Sequence, residues 1–192
     1  MEKQPFRIVL GSQSPRRAQL LKDAGFEFTI RIKDTDESYP ESLPADEVAE
    51  YIARQKSAAL IPELAPGELL ITADSIVVLN QVIFGKPKDE EDACLIIKKL
   101  AGSTHQVYTG VCLTDGKITQ CFTERTDVTF ENLTDKEIQR YVSTHRPLDK
   151  AGAYGIQDWI GLCKVRGIKG SYTNVMGLPT QPLYAMIKNW PQ

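Results

Sequence analysis

Leu69-Leu70-Ile71-Thr72-Ala73-Asp74-Ser75-Ile76-Val77-Val78-Leu79 is the longest nearly continuous apolar run in the 192-residue chain. Such a run, too short for a membrane span and bounded by turn residues, predicts a buried strand. Asn80-Gln81 follows it and predicts a short hairpin returning through Phe84. Towards the N-terminus, residues 45–62 place Val48, Ala49, Ile52, Ala59 and Leu60 on one helical stripe. The acidic, proline-containing stretch 34–44 predicts a loop, and the alternation over 26–33 predicts a second strand. Residues 6–10 form a short apolar run that ends at Gly11. Ser14-Pro15 then supplies an N-cap and a first helical residue, and Gly25 stops that helix.

Towards the C-terminus, Ala93, Ile96, Ile97 and Leu100 mark a helix over 89–101 that Gly102 ends. Strands are predicted over 104–113 and 117–130, joined at Asp115-Gly116. Thr134-Asp135-Lys136-Glu137 reads as a capping box opening a helix that buries Ile138, Tyr141 and Val142. Residues 147–157 read as irregular, 159–171 as one or two strands, and 179–190 as a terminal helix. Strands and helices mix throughout, which predicts an α/β fold. The length suits one domain over residues 1–192, or two small lobes sharing a core.

Hydrophobic residues make up 42% and charged residues 25%, as in ordinary globular proteins, and the net charge is −2. That balance argues against a general nucleic-acid binder and leaves room for a local basic pocket. No segment approaches the roughly 18 apolar residues of a membrane span, and residues 1–9 do not read as a leader, so the expectation is a cytoplasmic protein. Cys94, Cys112, Cys121 and Cys163 show neither CxxC nor zinc-finger spacing, so they read as four reduced, mostly buried thiols.

The chemistry concentrates in a few charged residues. In Gly11-Ser12-Gln13-Ser14-Pro15-Arg16-Arg17 a strand ends and a helix begins, and the helix dipole makes that end positive. Two arginines there are badly placed unless an anion sits between them and the backbone amides; the plainer reading is a capped helix with two solvated arginines. Asp74 lies inside the buried strand, where a carboxylate needs a cation or a metal, unless it sits at the strand end in solvent. Lys56 falls on the apolar stripe of its helix, where its stem either snorkels outward or meets such a carboxylate. Lys86 lies in Phe84-Gly85-Lys86-Pro87, by default a solvated loop lysine, and Asp36 and Glu37 offer carboxylates of the kind Mg²⁺ takes. His105 and His145 accompany no nucleophile motif, so the pattern points to phosphoryl-type chemistry with water and a metal.

Taken in order, these pieces resemble the Maf family of nucleotide pyrophosphatases over nearly the whole chain. The resemblance rests on Ser12-x-Ser14-Pro15-Arg16-Arg17, on Ala73-Asp74-Ser75-Ile76-Val77-Val78 with Gly85-Lys86-Pro87, and on Leu100-Ala101-Gly102-x-x-His105-Gln106-Val107-x-Thr109. Asp149-Lys150-Ala151-Gly152-Ala153-Tyr154-Gly155-Ile156-Gln157 and Gly170-Ser171-Tyr172-x-Asn174-Val175-x-Gly177-Leu178-Pro179 complete it. It implies an elongated mixed-sheet α/β fold of two lobes with a nucleotide-binding cleft, akin to inosine-triphosphate pyrophosphatases. It also implies hydrolysis of a nucleoside triphosphate to monophosphate and pyrophosphate with a divalent metal (Mg²⁺, Mn²⁺ or Co²⁺).

By position, the resemblance gives Ser12, Ser14, Arg16 and Arg17 to the phosphates. It makes Asp74, Lys56, Lys86 and Glu37 the catalytic group, with Asp74 and Glu37 as metal ligands. Ser75 and Gln157 join the substrate site, Gln157 facing the base or sugar. The Gln157 stretch with Arg17 is similar to the subgroup acting on dTTP, UTP and modified pyrimidine nucleotides in nucleotide-pool cleaning. Ser75 stands where that subgroup usually has threonine, a change of one methyl. A cytoplasmic homodimer without nucleic-acid or membrane partners is the accompanying expectation. Two rival readings are a nucleotide-sensing module that regulates septum formation and a purine-specific pyrophosphatase acting on ITP and XTP.

Overall fold

A computed structural model describes residues 6–191. The long apolar run is strand β3 (Glu68–Leu79), and the chain around it forms a mixed sheet. The other strands are β1 (Arg7–Leu10), β2 (Phe28–Ile30), β4 (Val82–Phe84), β5 (Thr104–Thr114), β6 (Thr119–Phe130) and β7 (Val165–Lys169). Among the described residues the seven-stranded sheet has the order β2-β1-β3-β5-β6-β7, with β4 paired to β3. The helices are α1 (Pro15–Asp23), α2 (Ala45–Leu60), α3 (Glu90–Leu100), α4 (Asp135–His145), α5 (Trp159–Lys164), α6 (Tyr172–Met176) and α7 (Thr180–Lys188). None of them is long and apolar enough to cross a membrane.

The chain divides into two compact units, and β3, β5 and β6 each contribute residues to both. The first comprises the described parts of Met1–Asp74, Thr109–Glu124 and Gly177–Gln192. In it β1 lies between β2 and β3, parallel to both, with Ile8 opposite Phe28 on one side and Leu69 on the other. Parallel neighbours need crossovers, supplied here by α1 and by the segment carrying α2. Thr72 Oγ1 donates to the Ala53 carbonyl at 2.8 Å and fixes α2 against β3. At Gly110 a Cβ would collide with the backbone of Ala49 and Glu50, so β5 and α2 approach as only glycine permits.

The second unit comprises Ser75–Tyr108 and Arg125–Met176. Its core packs Ile97 and Leu100 of α3 and Ile138, Tyr141 and Val142 of α4 against Val77, Val107, Val128 and Phe130 of the sheet. Both helices begin as their caps dictate. Asp89 accepts the Asp92 amide at 2.8 Å, and Thr134 and Glu137 form the reciprocal capping box. His105 is fully buried in this core, edge-on to Phe130 with ring centres 4.8 Å apart, and its Nε2 meets Tyr154 Oη at 2.8 Å.

Three expectations are corrected. Residues 159–171 hold helix α5 and strand β7, not one or two strands alone. A helix of six residues is too short to show a helical period, and its one deeply buried residue, Ile160, gives no pattern. The second strand covers only Phe28–Ile30, because Phe26 leaves the sheet to pack 5.6 Å from the Tyr184 ring. The four cysteines are not all thiols: Cys112 and Cys121 face each other across β5 and β6, with Cα atoms 4.2 Å apart, and form a disulfide. Cys94 and Cys163 are free.

The buried histidine sets a pH dependence. Burial lowers His105 from its ordinary 6.5 to about 4. Between those values the unfolded chain takes up a proton that the folded chain refuses, so stability rises with pH across that window and is lost as pH falls through it. Urea unfolding from pH 7 to pH 4 is expected to show a loss of up to about 3 kcal/mol from this residue, diminished in His105→Gln.

Candidate active site

The turn after β1 is held by its own side chains. Ser12 is buried, and its Oγ accepts the Ser14 amide at 3.2 Å; Ser14, the N-cap of α1, accepts the Arg17 amide at 3.4 Å. These hydroxyls therefore occupy two of the amides at the helix start. Arg16 and Arg17 follow in the first turn, both partly buried.

Arg17 is turned inward. Its Nε donates to the Gly177 carbonyl at 2.7 Å, and its Nη1 donates to the Ala73 carbonyl at 2.8 Å and to Ser12 Oγ at 3.3 Å. One planar guanidinium thus ties together the β1–α1 turn, the middle of β3 and the segment before α7. Burial lowers its pKa; Asp74 opposes that, Arg16 adds to it, and Glu37 opposes it.

Next to Ala73, Asp74 meets Lys56. The Lys56 Nζ lies 2.6 Å from Asp74 Oδ1 and 2.8 Å from Glu37 Oε1. The lysine and aspartate side chains are 16% and 15% exposed, against 48% for Glu37, so the pair sits at the inner end of a site whose outer wall is Glu37. Helix α2 delivers the lysine. Its buried residues Val48, Ala49, Ile52, Ala53 and Leu60 pin one side of the helix, and Gln55 Nε2 donates to the Ser38 carbonyl at 3.1 Å, holding the acidic loop alongside. In that loop the two candidate carboxylates diverge. Asp36 turns back to Ser38, accepting its amide at 2.9 Å and its hydroxyl at 2.8 Å, while Glu37 goes to Lys56. Those Ser38 bonds hold Asp36 below the usual carboxylate range.

The first unit therefore gathers Ser12, Ser14, Arg16, Arg17, Glu37, Lys56 and Asp74. Ser75, Lys86 and Gln157 belong to the second. There the Gly152 amide donates to the Gly85 carbonyl at 3.0 Å, which joins the loop of Gln157 to the loop of Lys86. Lys86 and Gln157 are exposed and Ser75 is partly buried. Asn174, from the last motif, is buried with its Nδ2 on the Val107 carbonyl at 3.1 Å and Thr126 Oγ1 at 2.9 Å, so it fastens that segment to the sheet.

Among the described residues no group of three or more His, Cys, Asp or Glu side chains is placed to hold a metal. Asp74 and Glu37 share the Lys56 ammonium instead, and a hard divalent cation bound to them would complete its shell with substrate oxygens and water.

The Maf-like protein family matches residues 7–190. The chain belongs to that family. A relative from Phocaeicola vulgatus named dTTP/UTP pyrophosphatase is 50% identical over 184 residues, covering 95% of each chain. Another of the same name from Bacteroides thetaiotaomicron is 47% identical over 184 residues, again 95% of each. The solved Ham1 protein of Staphylococcus aureus gives a TM-score of 0.48 at 16% identity, over 65% of this chain and 71% of that one.

The Arg17 tie is testable. In Arg17→Met the Ala73 and Gly177 carbonyls lose their donor, and urea unfolding is expected to show a destabilisation of about 2–3 kcal/mol. Arg17→Lys should recover only part, because one ammonium cannot reproduce the guanidinium fork.

Proposed function

We propose that this Maf-like protein is a nucleoside triphosphate pyrophosphatase acting on dTTP and UTP, and on modified pyrimidine nucleotides, to give the monophosphate and pyrophosphate. The observation that carries the chemistry is the Lys56–Asp74 contact of 2.6 Å beside Glu37, and the family relatives support the substrate. A partly buried carboxylate with a lysine counter-charge, next to a turn bearing two arginines, suits a polyanion attacked by water.

In this reading Asp74 accepts the proton of the attacking water. The water oxygen bonds to one phosphorus of the α–β bridge, the bond from that phosphorus to the bridging oxygen breaks, and monophosphate and pyrophosphate separate. Lys56 holds the Asp74 carboxylate in place and offsets negative charge as it develops. Arg16 and Lys86 bind phosphate oxygens, with Ser12 and Ser14 shaping the turn beneath them. Arg17 contributes positive potential while its guanidinium fixes Ala73, the residue before the base. Ser75 and Gln157 contact the nucleoside, Gln157 with an amide that both donates and accepts. A divalent ion held by Asp74 and Glu37 would supply Lewis acidity to the phosphate oxygens. Homodimerisation, implied by the resemblance, and a cytoplasmic location, expected from the sequence, complete the reading.

Turnover of a panel of triphosphates with Mg²⁺ or Mn²⁺, with pyrophosphate and orthophosphate measured separately, tests it. UTP and dTTP should yield pyrophosphate and monophosphate, and Asp74→Asn should lose at least about 100-fold in kcat. A preference for ITP and XTP would favour the purine-specific alternative. No turnover by folded protein would favour the nucleotide-sensing module.

A further inference from the structure

Gln157 stands at the third position of a four-residue turn. The turn is closed by the Asp158 amide donating to the Gly155 carbonyl at 3.1 Å. Ile156, next to it, is buried, whereas Gln157 is exposed. Both ends of this turn meet one atom from another element. The Gly155 amide donates to Tyr141 Oη at 3.0 Å, and Tyr141 Oη donates to Asp158 Oδ2 at 2.9 Å.

The local chemistry shows that this arrangement displaces the ordinary one. Asp158 precedes α5 at the N-cap position, where an aspartate normally accepts an amide of its own helix, yet it makes no side-chain cap bond. Its carboxylate faces back to α4 instead. Gly155 leaves the space it needs: a Cβ there would come within 2.5 Å of Asp158 Oδ2. Tyr141 is 1% exposed and stacks on His145 with ring centres 4.7 Å apart, so its ring is fixed by α4 and the core. Burial, and to a lesser degree Asp158, raises its pKa, which keeps the phenol a donor.

We propose that Tyr141 is a positioning residue for nucleobase selection, its hydroxyl bracing both ends of the turn that presents Gln157. This rests on the reading of Gln157 as the side chain that contacts the nucleoside. The brace acts at one end of the substrate only. A pyrimidine is told from its neighbours by where one amide donor and one amide acceptor sit, and a turn without its brace holds neither in place. Binding of the phosphates rests on Arg16 and on Lys86, neither of which belongs to the braced turn, so it is expected to change little. The sequence showed Tyr141 only as an apolar position of α4; its hydroxyl is the part that the helical pattern leaves unexplained.

Tyr141→Phe removes a single oxygen and keeps the ring. The variant is compared with the wild type for kcat/KM on UTP and CTP and for inhibition by pyrophosphate. The UTP-to-CTP ratio is expected to fall about tenfold, with the pyrophosphate inhibition constant within about twofold of wild type. Asp158→Asn, which keeps an acceptor for the tyrosine, should fall between the two. A Tyr141→Phe enzyme with an unchanged ratio would overturn the proposal. So would one whose UTP, CTP and pyrophosphate affinities all weaken together, as a merely structural loss would produce. Amide hydrogen exchange tests the brace without turnover: exchange at Gly155 and Asp158 should accelerate in Tyr141→Phe while the α3 core stays protected, and unchanged exchange would refute it. A wild-type enzyme with no pyrimidine preference would instead count against Gln157 as the reader of the base.

Discussion

Lys56 and Asp74 each occupy a position that is unfavourable without the other. Asp74 lies within β3, next to Ala73, which is fully buried, and Lys56 lies on a helix whose neighbouring positions are core residues. Removing Lys56 leaves the Asp74 carboxylate without its ion-pair partner, at a cost of several kcal/mol. The fold of the first unit serves this contact. Parallel β1 and β3 need the crossover that carries α2, and Thr72 and Gly110 set α2 close enough for Lys56 to reach. Glu37 adds a second carboxylate to the same ammonium, so one cation organises both acids.

Arg17 extends the same arrangement. Its guanidinium takes the carbonyl immediately before Asp74, the Ser12 hydroxyl and the Gly177 carbonyl. Three distant parts of the sequence are therefore joined beside the carboxylate. Its neighbour Arg16, also partly buried, lies on the same helical turn.

Much of this was legible in the sequence, for identifiable reasons. The apolar run of β3, the stripe of α2 and the caps of α1 and α4 are local signals, and the elements form where those signals lie. Asp74 and Lys56 stood out because a charge on an apolar face demands a partner, and each proved to be the other's. What could not be read was anything decided by distant backbone. Gly177 and Ala73 offer carbonyls, which every residue has, so nothing marked them as partners of Arg17. The disulfide was missed through register. A two-residue turn at Asp115-Gly116 would set Cys112 opposite Thr119, whereas the loop 115–118, pinned by Asp115 Oδ1 on the Lys117 and Ile118 amides, sets it opposite Cys121. Helix α5 escaped because six residues cannot display a helical period, and Tyr141 because an amphipathic pattern reports a ring and not its hydroxyl.

In the proposed reaction Lys56 and Asp74 act as one unit. A double-mutant cycle on kcat/KM for UTP, with Lys56→Met, Asp74→Asn and the double variant, tests it most directly. Strong non-additivity is expected, with the double variant about as slow as the worse single one. Independent losses that multiply in the double variant would contradict it.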